Sequence, residues 1–445
     1  MINFYIKTYG CQANVADSQA VSNLLAELGC KEVQAELGAD LIIINTCAIR
    51  EKAEHKVYSY LGRLMKLKDE NPFLKIVVIG CIATYRKKEF YSRFSQVNFV
   101  AGARDNKSVL RDSLIDIVLS LQTGKQLLAS IGDEKIKFID LDLSLGGIKK
   151  EGRHSKQSFI NIMTGCNNFC SYCIVPFTRG REISYSAKQI LEKIKLDVLA
   201  GAKEIMLLGQ NVNSYKDPED NLNFAQLLEL VANIEGEFWV RFVSPNPKDM
   251  TLDVIQVMSK YKDKICAFIH HPLQSGSNKV LTDMNRKYTV EKYLEQIDWI
   301  KKFLPQATIS TDIIVGFPGE TEDDFLLTMD ILEKVKFDNV FSFIYSPRKY
   351  TKAALLKDNC SYEIKQIRLD SLQKRQVEIS REKNESYIGK ILKCLVEKYA
   401  TNGMLLARSA GNHTILFNGS DSLIDSFVNV KVESAGATNL IAKLN

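Results

Sequence analysis

The sequence predicts an α/β multidomain chain of three folded parts: a doubly wound α/β domain, a partial (β/α)6 barrel and a small closed β-barrel. Three observations predict it. Strand and helix patterns alternate with short connections over the first 125 residues or so, as parallel sheets require. Six strand–helix repeats of about 35 residues follow, the pattern of a barrel whose functional loops share one mouth. Five short strands parted by glycine and asparagine turns end the sequence, as in barrels of the oligonucleotide-binding kind.

In the first part, residues 3–9 read as a strand. Asp17 or Ser18 is placed to cap a helix carrying Val21, Leu24, Leu25 and Leu28 on one face. The run 39–46 is almost wholly apolar, as a central parallel strand should be. A helix follows at about 50–68 with Ala53, Val57, Leu61 and Leu64 as its stripe. Strands are expected at 74–80 and 96–102, and a helix at about 106–120. Residues 126–156, with little periodicity beyond 136–141, read as a linker in which His154 has no assigned role.

The central part, 157–350, has expected strands at 158–165, 204–209, 239–244, 264–270, 309–316 and 340–346. Helical patterns lie at 186–199, 224–234, 251–261, 289–303 and 321–335. Polar residues gather at the strand ends, among them Gln210, Asn211, Asn246, His270 and Asp312. Gly316 and Gly319 around Pro318 make a tight turn before a helix rich in acidic residues, which opposes phosphate. The turn can serve to admit an adenine against backbone or simply to turn.

Residues 351–384 form a basic helical connector. From Arg348 to Lys383 there are ten Lys or Arg against five Asp or Glu. Arg368, Lys374, Arg375 and Arg381 share a helix face suited to phosphates, or to plain solvation. The last domain, 385–445, has strands expected at 387–399, 403–409, 413–419, 427–434 and 438–445.

Composition is ordinary for a globular chain: 445 residues, 45% hydrophobic, 25% charged, net charge +6. The charge is weak support for a polyanionic partner. The sequence has no signal-peptide pattern and no apolar run long enough to span a membrane, so a cytoplasmic protein is expected. In that compartment ten cysteines point to metal ligation rather than disulfides.

Two cysteine sets stand out. Cys166, Cys170 and Cys173 have the spacing C-x3-C-x2-C. Three soft thiolates in eight residues are one short of a structural zinc site, and a cubane iron–sulfur cluster with one open iron suits the count better. Zinc and plain buried thiols are the alternatives. Cys11, Cys47 and Cys81 each follow a strand, so at the carboxyl edge of a parallel sheet they should converge into a second three-ligand site. Cys30 lies at the opposite edge and reads as structural. Cys360 and Cys394 are unassigned.

Several motifs carry a family resemblance: 45–64 (NTCAIREKAEHKVYSYLGRL), 164–182 (TGCNNFCSYCIVPFTRGRE), 207–215 (LLGQNVNSY), 274–289, 311–325 (TDIIVGFPGETEDDF) and 343–348 (FIYSPR). Together they resemble the radical S-adenosylmethionine methylthiotransferases, and among them the branch that acts on N6-isopentenyladenosine 37 of the tRNA anticodon loop. The tail resembles the TRAM domain, an RNA-binding module, although Ala407 replaces its usual glycine. The resemblance covers essentially the whole chain.

The resemblance implies two [4Fe–4S] clusters, on Cys166/Cys170/Cys173 and on Cys11/Cys47/Cys81. The first would bind S-adenosylmethionine, with Tyr172, Gly209, Gln210, Asn211, Ile314, Val315 and Gly316 around that cofactor. Reductive cleavage of the cofactor would remove hydrogen from adenine C2, and the second cluster would deliver sulfur. Two cofactor molecules would be consumed per methylthio group. Arg179, Arg181, Arg286 and Arg408 are the substrate-contact candidates, and Phe177, Phe242 and Phe317 the apolar residues near the barrel mouth. Implied partners are a tRNA anticodon stem-loop, an electron donor such as flavodoxin or ferredoxin, and iron–sulfur assembly proteins, with no membrane and a monomeric enzyme. Against the family pattern, Tyr185 replaces an arginine, Asn246 a histidine and His271 a leucine, and Lys349-Tyr350 replaces Pro-Gly. The same chemistry on a ribosomal protein, and a non-catalytic RNA-binding protein with structural iron, are the rival functions.

Overall fold

A computed structural model describes residues 1–48, 51–105, 107–123, 146–147, 156–401 and 403–445. The expected linker, His154 and Arg50 lie outside the described residues. Contacts divide the chain into two compact units. The first holds the N-terminal part together with Ser158–Asn167 and Ile174–Tyr185; the second holds Asn168–Cys173 and Ser186–Asn445.

The first unit is built on a five-stranded parallel sheet in the order Lys31–Glu32, Asn3–Tyr9, Leu41–Thr46, Lys75–Gly80, Phe99–Gly102. Its central strand is buried at every position. Ile42 and Ile44 pack with Val57, Leu61 and Phe90 on one face. Leu41 and Ile43 pack with Val21, Leu24 and Leu114 on the other. Two covered faces explain the uninterrupted apolar run. The helices are Gln12–Glu27, Glu51–Glu70, Cys81–Arg93 and Lys107–Thr123.

Two of these helices depart from expectation. The first begins at Gln12, with Cys11 as its N-cap, and not at Asp17 or Ser18. Asp17 and Ser18 sit inside it, where burial and distant partners hold them. The helix Cys81–Arg93 escapes the sequence pattern because tyrosine and charged residues interrupt its stripe.

In the second unit, strand Glu204–Leu208 pairs parallel with Trp239–Phe242. Val240 bridges Ile265, and Phe268–His270, Thr308–Val315 and Asn339–Ile344 form a parallel three-stranded sheet. Helices Ala187–Leu199, Phe224–Ala232, Leu252–Lys260, Val290–Phe303 and Glu322–Val335 alternate with these strands. Ser186, Asn223, Thr289 and Thr321 cap four of them with side-chain oxygens. Five antiparallel and parallel pairings close the tail into a barrel, in the order Ile391–Tyr399, Leu405–Ser409, Thr414–Phe417, Leu440–Leu444, Phe427–Ala435.

This small barrel is docked on the strand beginnings of the central sheet, the end away from the cysteine loop. Arg241 donates to Ser409 and Ala410 carbonyls at 2.6 and 3.0 Å, and its charge is met by buried Glu204 at 2.6 Å. Trp239 meets Phe427 edge-on at 4.8 Å, and Thr308 donates to the Gly411 carbonyl. Such contacts make the tail part of the central unit rather than a tethered module.

The connector helix, Tyr362–Glu385, buries a polar stripe: Lys365, Arg368, Gln376 and Ser380 beside Leu372 and Ile379. Arg368 therefore faces inward, and Arg375 is engaged by Glu333 and Glu378. Only Lys374 and Arg381 of the expected four-residue basic face lie open to solvent without such engagement. Among the described residues no helix is long and apolar enough to cross a membrane.

Candidate metal centres

At the carboxyl edge of the first sheet three loops carry Cys11, Cys47 and Cys81. A polar ladder ties them. Asn14 donates to Asn45 and to the Thr46 carbonyl at 2.9 and 3.1 Å, Asn45 returns a bond to the Asn14 carbonyl, and Thr46 donates to the Ile79 carbonyl. Gly80 has φ +99°, and a Cβ there would collide with the Thr46 carbonyl. Glycine lets the third strand end against the second, immediately before Cys81.

The thiols meet. Hydrogen bonding to Cys47 pulls the Cys11 thiol down to about 6 against the opposing effect of burial, and the Arg179 guanidinium and the Asn14 and Ala13 backbone add to this. Cys11 caps one helix, where the N-terminus favours its thiolate, and Cys81 begins another. By contrast, burial raises Cys30 to about 11 and Cys266 and Cys394 to about 12. These three are core thiols.

Arg179 is the main surprise here. It is buried, bonds to Asp17 at 2.9 Å, and also contacts the Cys81 thiol. Burial opposes its charge, but Cys81, Asp17 and Cys11 around it more than offset that. Burial likewise opposes the Asp17 carboxylate, and Lys107 and Arg179 overcome it, holding Asp17 below its ordinary value. The expectation that Arg179 meets substrate is corrected: a buried arginine already paired inside the first unit is not open to an external phosphate.

The second cysteine set is divided between the units. In the first unit, Cys166 donates its backbone N–H to the Gly180 carbonyl at 3.1 Å. It follows Gly165, φ +78°, whose missing Cβ leaves room for the Arg181 carbonyl. Arg181 itself is exposed. In the second unit the loop of Cys170, Tyr172 and Cys173 is stapled by Ser171, whose N–H and hydroxyl donate to the Met284 and Asp283 carbonyls at 2.9 and 2.8 Å. Asn285 donates to the Phe169 carbonyl, and Ala353 to that of Ser171.

Arg286, half-buried, reaches the Cys170 thiol at 3.4 Å, Tyr288 at 2.9 Å and the Tyr172 hydroxyl at 3.5 Å. Arg286 thus stands beside the cysteine loop. Tyr172 packs with Ile314 against Phe317, Tyr345 and Ala353. Apart from Tyr288, Arg286's neighbours lie 14 to 116 residues away, beyond the reach of local sequence pattern.

The remaining candidates separate. Asn211 is buried and its carboxamide is taken up by Asp249 and the Asn246 backbone at 2.6 and 3.1 Å, so Asn246 acts within the protein. Gly209 is buried and Gln210 half-buried beside it. Val315 is buried, Ile314 half-buried, and Gly316 turns with φ +66°. The Gly316 N–H bonds to buried Glu320 at 2.6 Å, and Arg368 of the connector helix holds Glu320 at 2.8 Å. Arg408 is held by Glu397 at 2.7 and 3.2 Å and by Asn412 at 3.0 Å. Phe242 and Phe317 are core residues, against expectation; Phe177 is exposed. His271 is also core: it stacks on Tyr293, bonds to Gln296 at 3.0 Å, and is driven by burial to about 3.

Among the described residues no three donors stand close enough to grip a single ion. A cubane asks for something different, since each thiolate binds a separate iron and the sulfurs stand further apart. The all-thiol set at the edge of the first sheet, with the Cys11 thiol lowered and Arg179 against Cys81, fits that group.

Residues 160–332 match the radical SAM superfamily, 3–102 the uncharacterized protein family UPF0004, and 385–444 the TRAM domain. The fold resembles a radical S-adenosylmethionine methyltransferase, TsrM, from Kitasatospora setae, with a TM-score of 0.57 at 11% identity, covering 80% of this chain and 77% of that one. It also resembles the cobalamin-dependent S-adenosylmethionine radical enzyme OxsB, with a TM-score of 0.50 at 14% identity, covering 84% and 56%. The class is thus a radical S-adenosylmethionine enzyme, whose cofactors are a [4Fe–4S] cluster and S-adenosylmethionine.

The chain is 41% identical to the tRNA-2-methylthio-N(6)-dimethylallyladenosine synthase of Thermodesulfovibrio yellowstonii, over 96% of this chain and 95% of that protein. It is 42% identical to the Clostridium botulinum (strain Langeland) protein of the same name, over 98% and 96%, and 41% to that of Carboxydothermus hydrogenoformans, over 97% and 96%. The chain belongs to the tRNA-2-methylthio-N(6)-dimethylallyladenosine synthase family.

Proposed function

We infer that this protein is a tRNA methylthiotransferase that places a methylthio group on C2 of an N6-isopentenyladenosine at position 37 of the anticodon loop. The observation that carries the reading is near full-length identity to that family with both cysteine sets in place, one of them gathered at a single sheet edge. Cys166, Cys170 and Cys173 are assigned to the radical cluster, and Cys11, Cys47 and Cys81 to the auxiliary one. When bound, these groups supply radical chemistry able to act on an unactivated C–H and the sulfur that replaces the hydrogen.

The chain's own part is placement. Arg179 and Arg286 lie against the thiols of Cys81 and Cys170. Glu320, gripped by Arg368, fixes the Gly316 turn beside the strand assigned to the cofactor's adenosine, Ile314 to Gly316. Tyr172, Gly209 and Gln210 are assigned to the same cofactor, and Arg181 to a substrate phosphate. The tail barrel, docked through Arg241 and Trp239, is assigned to tRNA. A flavodoxin or ferredoxin is the proposed reductant, with assembly proteins loading the clusters of a monomeric, cytoplasmic enzyme.

The test is anaerobic reconstitution followed by incubation with S-adenosylmethionine, a reductant and prenylated tRNA that lacks the methylthio group. Mass analysis of the released nucleosides is expected to show one methylthio group on the prenylated adenosine. Cofactor cleavage with no thiolated nucleoside would overturn the assignment of substrate.

A further inference from the structure

One stretch of the second unit is both fastened to the cysteine loop and open to solvent. After the strand Asn339–Ile344 the chain passes through a short helical turn, Lys352–Leu355. Ala353 is buried with Phe317 and Tyr345, and Tyr172 of the cysteine loop packs against the same cluster. The Ala353 N–H donates to the carbonyl of Ser171, between Cys170 and Cys173, at 2.8 Å. The residues just after it turn outward: Leu355 is 88% exposed and Leu356 47%. One hydrogen bond and two residues of chain therefore separate Leu355 from the cysteine loop.

An exposed leucine is ordinary by itself. Here charge of one sign surrounds it. Residues 348–357 carry four Lys or Arg and no Asp or Glu. Lys349, Lys352 and Lys357 are exposed, and none has a carboxylate partner among the described residues. The next acid along the chain, Asp358, is taken by Lys365. An apolar centre with a polar rim is the anatomy of a protein interface.

We propose that this surface, Lys349 to Lys357, docks a small acidic one-electron carrier that reduces the group held by the neighbouring cysteine loop. The proposal rests on the assignment of Cys166, Cys170 and Cys173 to the radical cluster and names where its electron enters. Leu355 and Leu356 form the apolar centre of the contact, and Lys349, Lys352 and Lys357 steer and orient the carrier. The carrier is oxidised by one electron and the cluster reduced by one, with no bond made or broken at the surface. Redox encounters are transient and bury little area, which suits a patch of two leucines and three lysines. RNA suits it less. RNA is held by phosphate contacts and by bases stacked on aromatic rings. The one ring in this stretch, Tyr350, already meets the Lys349 ammonium at 5.2 Å, and leucines offer a base no ring to stack on.

The experiment reads binding and reduction separately, on the full-length reconstituted protein. A labelled, oxidised bacterial flavodoxin is titrated anaerobically to obtain its Kd. S-adenosylmethionine cleavage is then driven by a limiting amount of the reduced flavodoxin or by dithionite, which needs no docking site. Lys349→Glu/Lys352→Glu/Lys357→Glu should weaken flavodoxin binding by about 10-fold or more, since like charges then face each other. Leu355→Asp, a single change at an exposed position, should act in the same direction. Flavodoxin-driven cleavage should fall in step, while iron content, dithionite-driven cleavage and tRNA affinity stay unchanged. In the unaltered protein, flavodoxin binding should weaken as salt rises. Unchanged flavodoxin affinity in both iron-loaded variants overturns the docking surface. Weakened tRNA binding with flavodoxin affinity retained overturns it too and gives the surface to RNA. Failure of dithionite to drive cleavage in the unaltered protein overturns the cluster assignment instead, and the binding titrations still decide the docking.

Discussion

The two cysteine sets solve one chemical problem by opposite routes. Cys166, Cys170 and Cys173 come from eight consecutive residues, and their loop is stapled by Ser171 and Asn285 to residues near 284. Cys11, Cys47 and Cys81 come from three strand ends, and only the assembled sheet brings them together. Each set keeps an arginine at a thiol. Arg179 is pinned by a carboxylate, Asp17, whereas Arg286 is surrounded by tyrosine hydroxyls and a carbonyl. The difference teaches that the Cys11, Cys47 and Cys81 set is built from its domain's own strand ends, while Cys170 and Cys173 sit on a loop fastened by hydrogen bonds to the residues around 284.

The largest expected effect comes from the ligands themselves. Reconstituted protein should hold about eight iron atoms per chain, and alanine at either set of three should leave about four. Loss of Cys166, Cys170 and Cys173 should abolish cofactor cleavage; loss of Cys11, Cys47 and Cys81 should abolish only the thiolated product. Unchanged iron after one triple replacement would sink the assignment of that set.

The two arginines sharpen the contrast. Arg179→Met leaves Asp17 buried with only Lys107, at 3.6 Å, to offset its charge, and should cost about 3 kcal/mol in chemical denaturation. Arg286→Met strands no carboxylate and should cost about 1–2 kcal/mol while still disturbing cofactor cleavage. Equal losses would contradict the distinction. Asp17 also sets a pH dependence. Its folded value is depressed, so its stabilising contribution is full above the unfolded value of about 3.9 and disappears as pH falls through the folded one. Asp17→Asn should therefore be less stable at neutral pH and flatter below it.

The glycines give the most local effect. Gly80→Ala and Gly165→Ala each force a positive φ on alanine and push against a carbonyl, at about 1–3 kcal/mol. Gly80→Ala should disturb Cys47 and Cys81 together and lose auxiliary iron. Gly165→Ala should disturb Cys166 alone, lowering cofactor cleavage with auxiliary iron retained. Iron content read beside cleavage separates the two outcomes.

Much of this was legible in sequence, and for local reasons. The strand at 3–9 and the helices after Ser186, Thr289, Thr321 and Ser361 follow from periodicity and caps, which act over a few residues. The convergence of Cys11 and Cys47 was legible too, from their place after strands in a fold whose strand ends share an edge. The polar residues Asn14, Asn45 and Thr46 flanking the second set were a true signal, since they tie those edges together.

What the tertiary structure alone decided is which charges are spent inside the protein. Arg179, Arg286, Arg368 and Arg408 look alike in sequence, yet Asp17, the tyrosines around Cys170, Glu320 and Glu397 claim them. Likewise Phe242 and Phe317 vanish into the core while Phe341 and Phe343 remain partly exposed. Periodicity reports which face a residue takes on its own element. Whether that face meets a carboxylate, a thiol or an open cavity depends on chain that can be a hundred residues distant, and only packing settles it.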